Sequence, residues 1–151
     1  MQLRWSHHPP RRGTVTVECA VVYPVTFFLL LALLIGGMGV FRYQQVASLA
    51  REGARWASVH SSDYARETGN SPATQESIRN EILSRSAGVL DPNQLTVTVT
   101  WIDENYPTRV TTNNGAARSN RVRVTVTYQW VPELYLGGIT LTSTSEAIIL
   151  Y

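Results

Sequence analysis

The longest apolar stretch of the chain runs from Ala20 to Val40 and contains no charged residue. As an α-helix it would be about 31 Å long at about 1.5 Å per residue, which matches a hydrocarbon core of about 30 Å. A soluble helix carries a polar face. In this stretch the side chains with a polar group are Tyr23 and Thr26, and the other residues are apolar or glycine. The pattern therefore predicts one membrane-spanning helix over about residues 20–40.

Small and apolar residues continue at three- and four-residue steps beyond this segment, which predicts that the helix extends to Val59 or His60. Small residues four positions apart let two helices approach closely. The candidate helix-packing residues are Ala32, Gly36, Ala50, Gly53, Ala54 and Ala57. The sequence leaves two partners open for this small-residue stripe, namely the C-terminal domain of the same chain and a neighbouring subunit.

The remaining pattern predicts a second helix followed by strands. Turn-forming residues after His60 indicate a loop, and apolar residues at helical spacing then indicate a helix over about residues 73–86. From Gln94 the apolar period becomes two, which predicts antiparallel strands near residues 95–101, 121–130 and 139–150. The long connection between the first two strands, Asp103 to Asn120, is expected to be an exposed, mobile loop.

These elements give an α+β fold class with a long N-terminal helix, a second helix and an antiparallel sheet of about three strands. The expected organisation is a leader over residues 1–13, the long helix over 14–60, a loop and second helix over 61–93, and a β region over 94–151.

The distribution of charge along the chain predicts its orientation in the membrane. The net charge of the chain is +2. Residues 1–13 contain three arginines and no acidic residue, so their charge is +3. The remaining residues contain ten arginines and eleven acidic residues, so their charge is -1. A basic tail before an apolar span predicts a cytoplasmic N-terminus and a C-terminal domain across the membrane, with Arg11 and Arg12 as the nearest topology signals. The slightly acidic exported part excludes nucleic acid as an expected partner.

Candidate chemistry is sparse. Cys19 is the only cysteine, so no intramolecular disulfide forms. The pair His7 and His8 has no third ligand nearby, and no metal or cofactor is expected. The sequence His60-Ser61-Ser62-Asp63 contains the residue types of a hydrolase, but adjacent loop residues cannot aim at one another as a nucleophile and base must. No enzyme activity and no small-molecule substrate are expected.

Glu18 is a candidate functional residue. It lies at the start of the predicted membrane helix, where an ionisable side chain is costly and therefore indicates a function. If the chain were cut after Gly13, the new α-amine of Thr14 would lie four residues before Glu18, at the same end of the helix. A neighbouring copy would then offer its amine to this carboxylate. Such a pairing would favour assembly over the isolated subunit.

Arg11-Arg12-Gly13, four further residues and then Glu18 before a long apolar helix resemble a prepilin-peptidase site of the type IV pilin superfamily. Together with the segment Ala50 to Arg55 (AREGAR), this arrangement is similar to TadE-like pseudopilins of the tight adherence system. The resemblance implies a pilin-like fold and a minor pilin-like subunit, cut between Gly13 and Thr14 by a prepilin peptidase at the inner membrane. It also implies that the partners are other pilin-like subunits or the assembly platform of an adhesive, Flp-type pilus.

A second hypothesis stays open at this point. The chain would be an unprocessed single-pass anchor whose exported β-rich domain binds an envelope protein or a surface polymer through the connection Asp103 to Asn120. Cleavage after Gly13 separates the two hypotheses.

Overall fold

The computed structural model describes residues 12–86, 88–104, 106–113, 116–132 and 137–150. Arg11 and the pair His7 and His8 therefore lie outside the described residues. The helices are α1 (Arg12–Val59), α2 (Ser62–Thr68) and α3 (Gln75–Ser86), followed by a 3-10 turn over Pro92–Gln94. The predicted end of the long helix and the predicted second helix, which is α3, are confirmed.

The strands are β1 (Leu95–Trp101), β2 (Val110–Asn113), β3 (Ala116–Ser119), β4 (Arg121–Trp130) and β5 (Ile139–Ile148). Strands β1, β4 and β5 form an antiparallel sheet in the order β1-β4-β5, and β2 pairs with β3 in a separate two-stranded sheet. The predicted α+β class with a three-stranded antiparallel sheet is therefore confirmed.

The chain divides into two compact units, residues 1–38 and residues 39–151. In the first unit, the described residues are all part of α1. The second unit contains the last part of α1 and every other helix and strand.

The core of the second unit forms where two helices cover one face of the sheet. The alternation predicted for β4 is observed, with Val122, Val124 and Val126 fully buried and the residues between them more exposed. Helix α3 contributes Ile78 and Ile82 to this core. The core residues that α1 contributes are Val46, Ala50, Ala54 and Ala57.

Three contacts show how α1 runs along the sheet within the second unit. A Cβ at Gly39 would lie 2.9 Å from the ring of Trp130, and a Cβ at Gly53 would lie 3.3 Å from Val124. The amide of Leu150 donates a hydrogen bond to the Ser58 carbonyl at 3.0 Å. Helix α1 is therefore antiparallel to β4, with the C-terminal end of β4 beside Gly39.

Helix α2 corrects the prediction of a plain loop after His60. The Ser61 hydroxyl accepts a hydrogen bond from the Asp63 amide at 3.4 Å and caps the N-terminus of the helix. Gly69 ends the helix with a φ of 72°, a left-handed conformation that glycine adopts without steric cost. The same turn-forming residues that indicated a loop are thus the two caps of a short helix.

The connection Asp103 to Asn120, which was predicted to be an exposed, mobile loop, contains the hairpin β2–β3. Asn120 anchors the base of this connection and is fully buried. Its side-chain oxygen accepts from the amides of Asp103 and Arg121 at 3.1 and 2.8 Å, and its side-chain nitrogen donates to the Tyr106 carbonyl at 3.1 Å. The connection therefore contains a hairpin, and hydrogen bonds to the Asn120 side chain fix its base.

Strand β5 forms one edge of the three-stranded sheet. Its ten residues pair with β4 in an unbroken register from Ile139 opposite Trp130 to Ile148 opposite Arg121. The strand contains no proline and no lysine, and its one charged residue is Glu146. Strand β5 thus lacks the proline, lysine and bulge that commonly protect a sheet edge from further pairing.

Candidate functional site

The first part of α1 presents large apolar side chains to its surroundings. Val15, Phe28 and Leu33 are 60%, 68% and 73% exposed. One helix in the described part of the chain, α1, is long and apolar enough to cross a membrane, and none of its most apolar window is buried within the protein. Exposed apolar surface of this extent marks contact with a membrane or with another protein.

The predicted processing site lies at the N-terminal end of this helix. The backbone of Gly13 and Thr14 is helical and Gly13 is exposed. The first amides of a helix have no intrahelical acceptor and glycine has low helix propensity, so this turn opens at small cost. Glu18 is exposed one turn further on and forms no ion pair with any residue that the structure describes.

The small-residue stripe falls into two parts with different surroundings. Ala32 and Gly36 are exposed, and a Cβ added at Gly36 would meet no atom within 4 Å. The second part lies in the core of the second unit, where its neighbours belong to the same chain. Its members are Ala50, Gly53, Ala54 and Ala57, all buried.

Two glycines of α1 mark the places where other elements come closest. At Gly53 an added Cβ would lie 2.5 Å from Cδ1 of Ile82, and at Gly39 it would lie 2.9 Å from Cζ3 of Trp130. Trp130 is 5% exposed, so its ring is held against the helix. The sequence patterns identified Gly53 as a packing residue but did not identify Gly39, because one glycine in an apolar run carries no information about a distant tryptophan.

A group of charged residues joins α1 to α3. Arg85 bonds to Glu81 at 2.7 Å and to Glu52 at 3.1 Å. The hydrogen bond to Glu81, together with the negative charges of Glu81 and Glu52, raises the pKa of Arg85 above its ordinary value, and partial desolvation opposes this rise. Arg85 therefore stays positively charged at every physiological pH, and this exposed group links the two helices but contributes little to their stability.

An aromatic stack closes the C-terminal end of α1. The rings of Trp56 and His60 lie parallel with centroids 4.1 Å apart, and the edge of Tyr64 meets His60 at 4.7 Å. Nδ1 of His60 donates a hydrogen bond to the Trp56 carbonyl oxygen at 2.9 Å. The four-residue spacing of Trp56 and His60 was an available sequence signal, whereas Tyr64 belongs to α2 and meets His60 only because the chain turns between the two helices.

Among the residues that the structure describes, no group of three His, Cys, Asp or Glu side chains is placed to bind a metal ion. Asp103 begins the connection that was predicted to be an exposed loop, and its Oδ2 lies 3.6 Å from Nε of Arg121. Glu104 accepts a hydrogen bond from the Thr108 hydroxyl at 2.9 Å. These two acids therefore stabilise the base of the connection to β4.

The fold and the exposed helix define an α+β protein with one candidate membrane span at its N-terminal end. Residues 13–55 match the model of the family described as TadE-like protein, and the resemblance seen in the sequence is confirmed over this segment. The match covers less than a third of the chain and suggests a pilus-associated membrane protein. No curated protein and no solved structure matches the chain significantly.

Proposed function

We propose that this chain is a pilin-like structural and assembly subunit of a tight adherence, Flp-type pilus. A prepilin peptidase cuts it between Gly13 and Thr14 at the cytoplasmic face of the inner membrane, and the β-rich unit lies on the opposite side. The observation that carries this proposal is the family match, which begins at Gly13 and continues through the apolar helix to Arg55. The exposed apolar surface of α1 supports it, because a span of this kind is stable only in lipid or against other subunits.

The proposed role of Glu18 follows from the electrostatics of a helix that begins with a free amine. After cleavage, the charged amine of Thr14 lies at the positive end of the helix dipole, next to amides that have no acceptor. This concentration of positive charge is unfavourable near the hydrocarbon core. A Glu18 carboxylate from a neighbouring copy neutralises it, so that two helices dock at matched depth.

The proposed partners are the prepilin peptidase, other pilin-like subunits and the pilus assembly platform. The exposed small residues Ala32 and Gly36 support a close approach between spans, because small side chains let helix backbones come together in lipid. The buried residues Gly53 and Ala54 are engaged within the second unit. Helix packing between subunits is therefore proposed for the part of the stripe inside the apolar segment.

The first test is the intact mass and N-terminal sequence of the protein extracted from native membranes. A mature chain that starts at Thr14 supports near-side processing by a prepilin peptidase. A chain that starts at Met1 contradicts this and favours an unprocessed anchor with an exported binding domain. A start beyond Gly39 means secretion without the helix and contradicts both functions.

The second test replaces Glu18 by alanine. We expect cleavage to continue while subunit incorporation into assembled complexes falls about tenfold, the effect of losing an interaction of about 1.4 kcal/mol. Incorporation is measured by co-purification of a tagged and an untagged copy, and cleavage by intact mass. Glu76→Ala, which removes an exposed acid of α3, is the matched control and should leave both values unchanged. Normal co-purification of the Glu18→Ala chain would overturn the pairing.

A further inference from the structure

We propose that the end of the second unit beside Gly39 is a membrane-contacting collar, which rests on the bilayer surface around the point where α1 leaves the lipid. This inference rests on the proposed membrane span and adds a second contact with the same bilayer. The collar consists of the exposed apolar residues Val40, Phe41, Val89, Val131 and Ile139.

Three contacts place separate chain segments at the level of the last turn of the apolar segment. The ring of Trp130 lies against Gly39. Ile139 is the register partner of Trp130 and therefore lies at the same end of the sheet. The guanidinium of Arg42 donates a hydrogen bond to the Val89 carbonyl, which brings the turn after α3 to the same level.

The collar residues are exposed although they are apolar. Val40 and Phe41 on α1 are 62% and 60% exposed, and Val89, Val131 and Ile139 are 45%, 46% and 49% exposed. They come from three separate parts of the second unit, at the end where the unit begins with residues 39 and 40. Exposed apolar surface marks contact with a membrane or with another protein, and the proposed span brings this end of the unit to a membrane.

Charge distribution along the sheet supports a lipid contact at this end. The charged residues of β1, β4 and β5 are Arg121, Arg123 and Glu146, and all three lie in the half of the sheet remote from Trp130. The half beside Trp130 carries threonine, serine, glutamine and apolar side chains. The opposite end also exposes Ile148, but there the neighbouring strand position is Arg121. Within the three strands, charged residues are therefore absent from the half beside the collar.

The residue types at the collar suit the boundary between headgroups and acyl chains. Tyrosine is enriched at this depth because its ring is apolar and its hydroxyl is polar. Tyr43 is 45% exposed and lies two residues after Phe41 on α1, whereas Trp130 is buried against the helix. The occupant we infer is thus the phospholipid surface itself, and a second copy of the chain is the competing occupant.

The test uses the full chain in vesicles of phosphatidylcholine that contain a spin-labelled quenching lipid. Cys19→Ser removes the native thiol, and single cysteines at Ile139, Ile148 and Leu30 carry a fluorescent label in three separate proteins. Ile139 and Ile148 form a matched pair, because they are the same residue type at the two ends of β5 and are 49% and 52% exposed. We expect loss of label fluorescence at Ile139 and Leu30 and none at Ile148.

The three positions separate the collar from the proposed span. Quenching at Leu30 without quenching at Ile139 would overturn the collar and leave the span intact, whereas no quenching at Leu30 would show that the span itself fails. A photo-crosslinking residue at Val131 identifies the occupant independently. A phospholipid adduct supports the collar, and an adduct to a second copy, or no adduct, overturns it.

Discussion

Gly53 shows how a single hydrogen atom sets the distance between two helices. Glycine inside a helix normally costs about 0.5–1 kcal/mol relative to alanine. Here the added methyl group of alanine would lie 2.5 and 3.0 Å from two carbons of Ile82 and 3.3 Å from Val124. The close approach of α3 and β4 to α1 therefore depends on the absence of a side chain.

We predict that Gly53→Ala lowers the free energy of unfolding of the second unit by about 1–3 kcal/mol, the cost of overpacking a tight core. Chemical denaturation followed by tryptophan fluorescence measures this loss. Gly36→Ala is the matched control in the same helix, where no atom lies within 4 Å, and it should cause no loss.

A second substitution identifies the cause. Ile82→Val removes Cδ1, the atom nearest to the added methyl group. The double variant should therefore lose less stability than the sum of the two single variants. Simple additivity, or an unchanged stability for Gly53→Ala alone, would mean that the contact with Ile82 does not limit this position.

At the scale of elements, the β2–β3 hairpin is structurally separate from the sheet that carries the core. Its two strands pair with each other over four residue pairs and belong to a different sheet from β1, β4 and β5. Its base is fixed by the buried Asn120. The stability of the second unit should therefore depend on the base and little on the hairpin.

We predict that replacing residues 111–118 by Asn-Gly changes the free energy of unfolding by less than about 1 kcal/mol. The new turn joins Val110 to Ser119, which are register partners, and a change of loop length has a small entropic effect. Asn120→Ala is the contrasting variant and should cost about 2–4 kcal/mol, because it leaves buried partners without hydrogen bonds. A large loss on shortening, or a small loss for Asn120→Ala, would show that the hairpin itself supports the unit.

Periodicity in the sequence was sufficient for the long elements and insufficient for the short ones. The alternation of valine with polar residues in 121–130 located β4 because ten residues give a clear period. Helix α2 has seven residues and each hairpin strand has four, too few for a period to stand out. Their signals were the caps Ser61 and Gly69 and the Asn-Gly pair at 114–115.

The partners of the small-residue stripe could not be predicted from the sequence, because the pattern within α1 does not specify what packs against it. A stripe of small residues has the same composition whether it packs on its own domain or on another subunit. Gly53 is buried because Ile82 and Val124 lie opposite it, and no local pattern in α1 specifies those partners. The motif around Gly13 and Glu18 depends on spacing within one segment, so it could be recognised directly from the sequence.

At the scale of the whole molecule, the arginines before the apolar segment are proposed to set the orientation in the membrane. Residues 1–13 contain Arg4, Arg11 and Arg12 and no acid. Arg42 follows the segment directly and opposes them. The rule that positive residues stay in the cytoplasm applies mainly to charges close to the span.

We predict that the double change Arg11→Gln and Arg12→Gln produces a mixture of orientations, because one arginine then remains in the leader against Arg42. Accessibility of the second unit to protease, added outside sealed inner-membrane vesicles, measures the fraction inverted. The matched control, Arg51→Gln with Arg55→Gln, removes two arginines from α1 beyond the span and should keep a single orientation. A single orientation in both double variants would show that the leader arginines do not direct insertion.

The unprotected edge strand β5 exposes the chain to unwanted strand pairing. Along this edge, the outward backbone groups of every second residue offer a template on which another extended chain can add a strand. If the chain waits in the membrane before assembly, as the proposed function implies, it carries this template throughout that time. Production of the chain in excess of its proposed partners should therefore yield aggregates joined through β5.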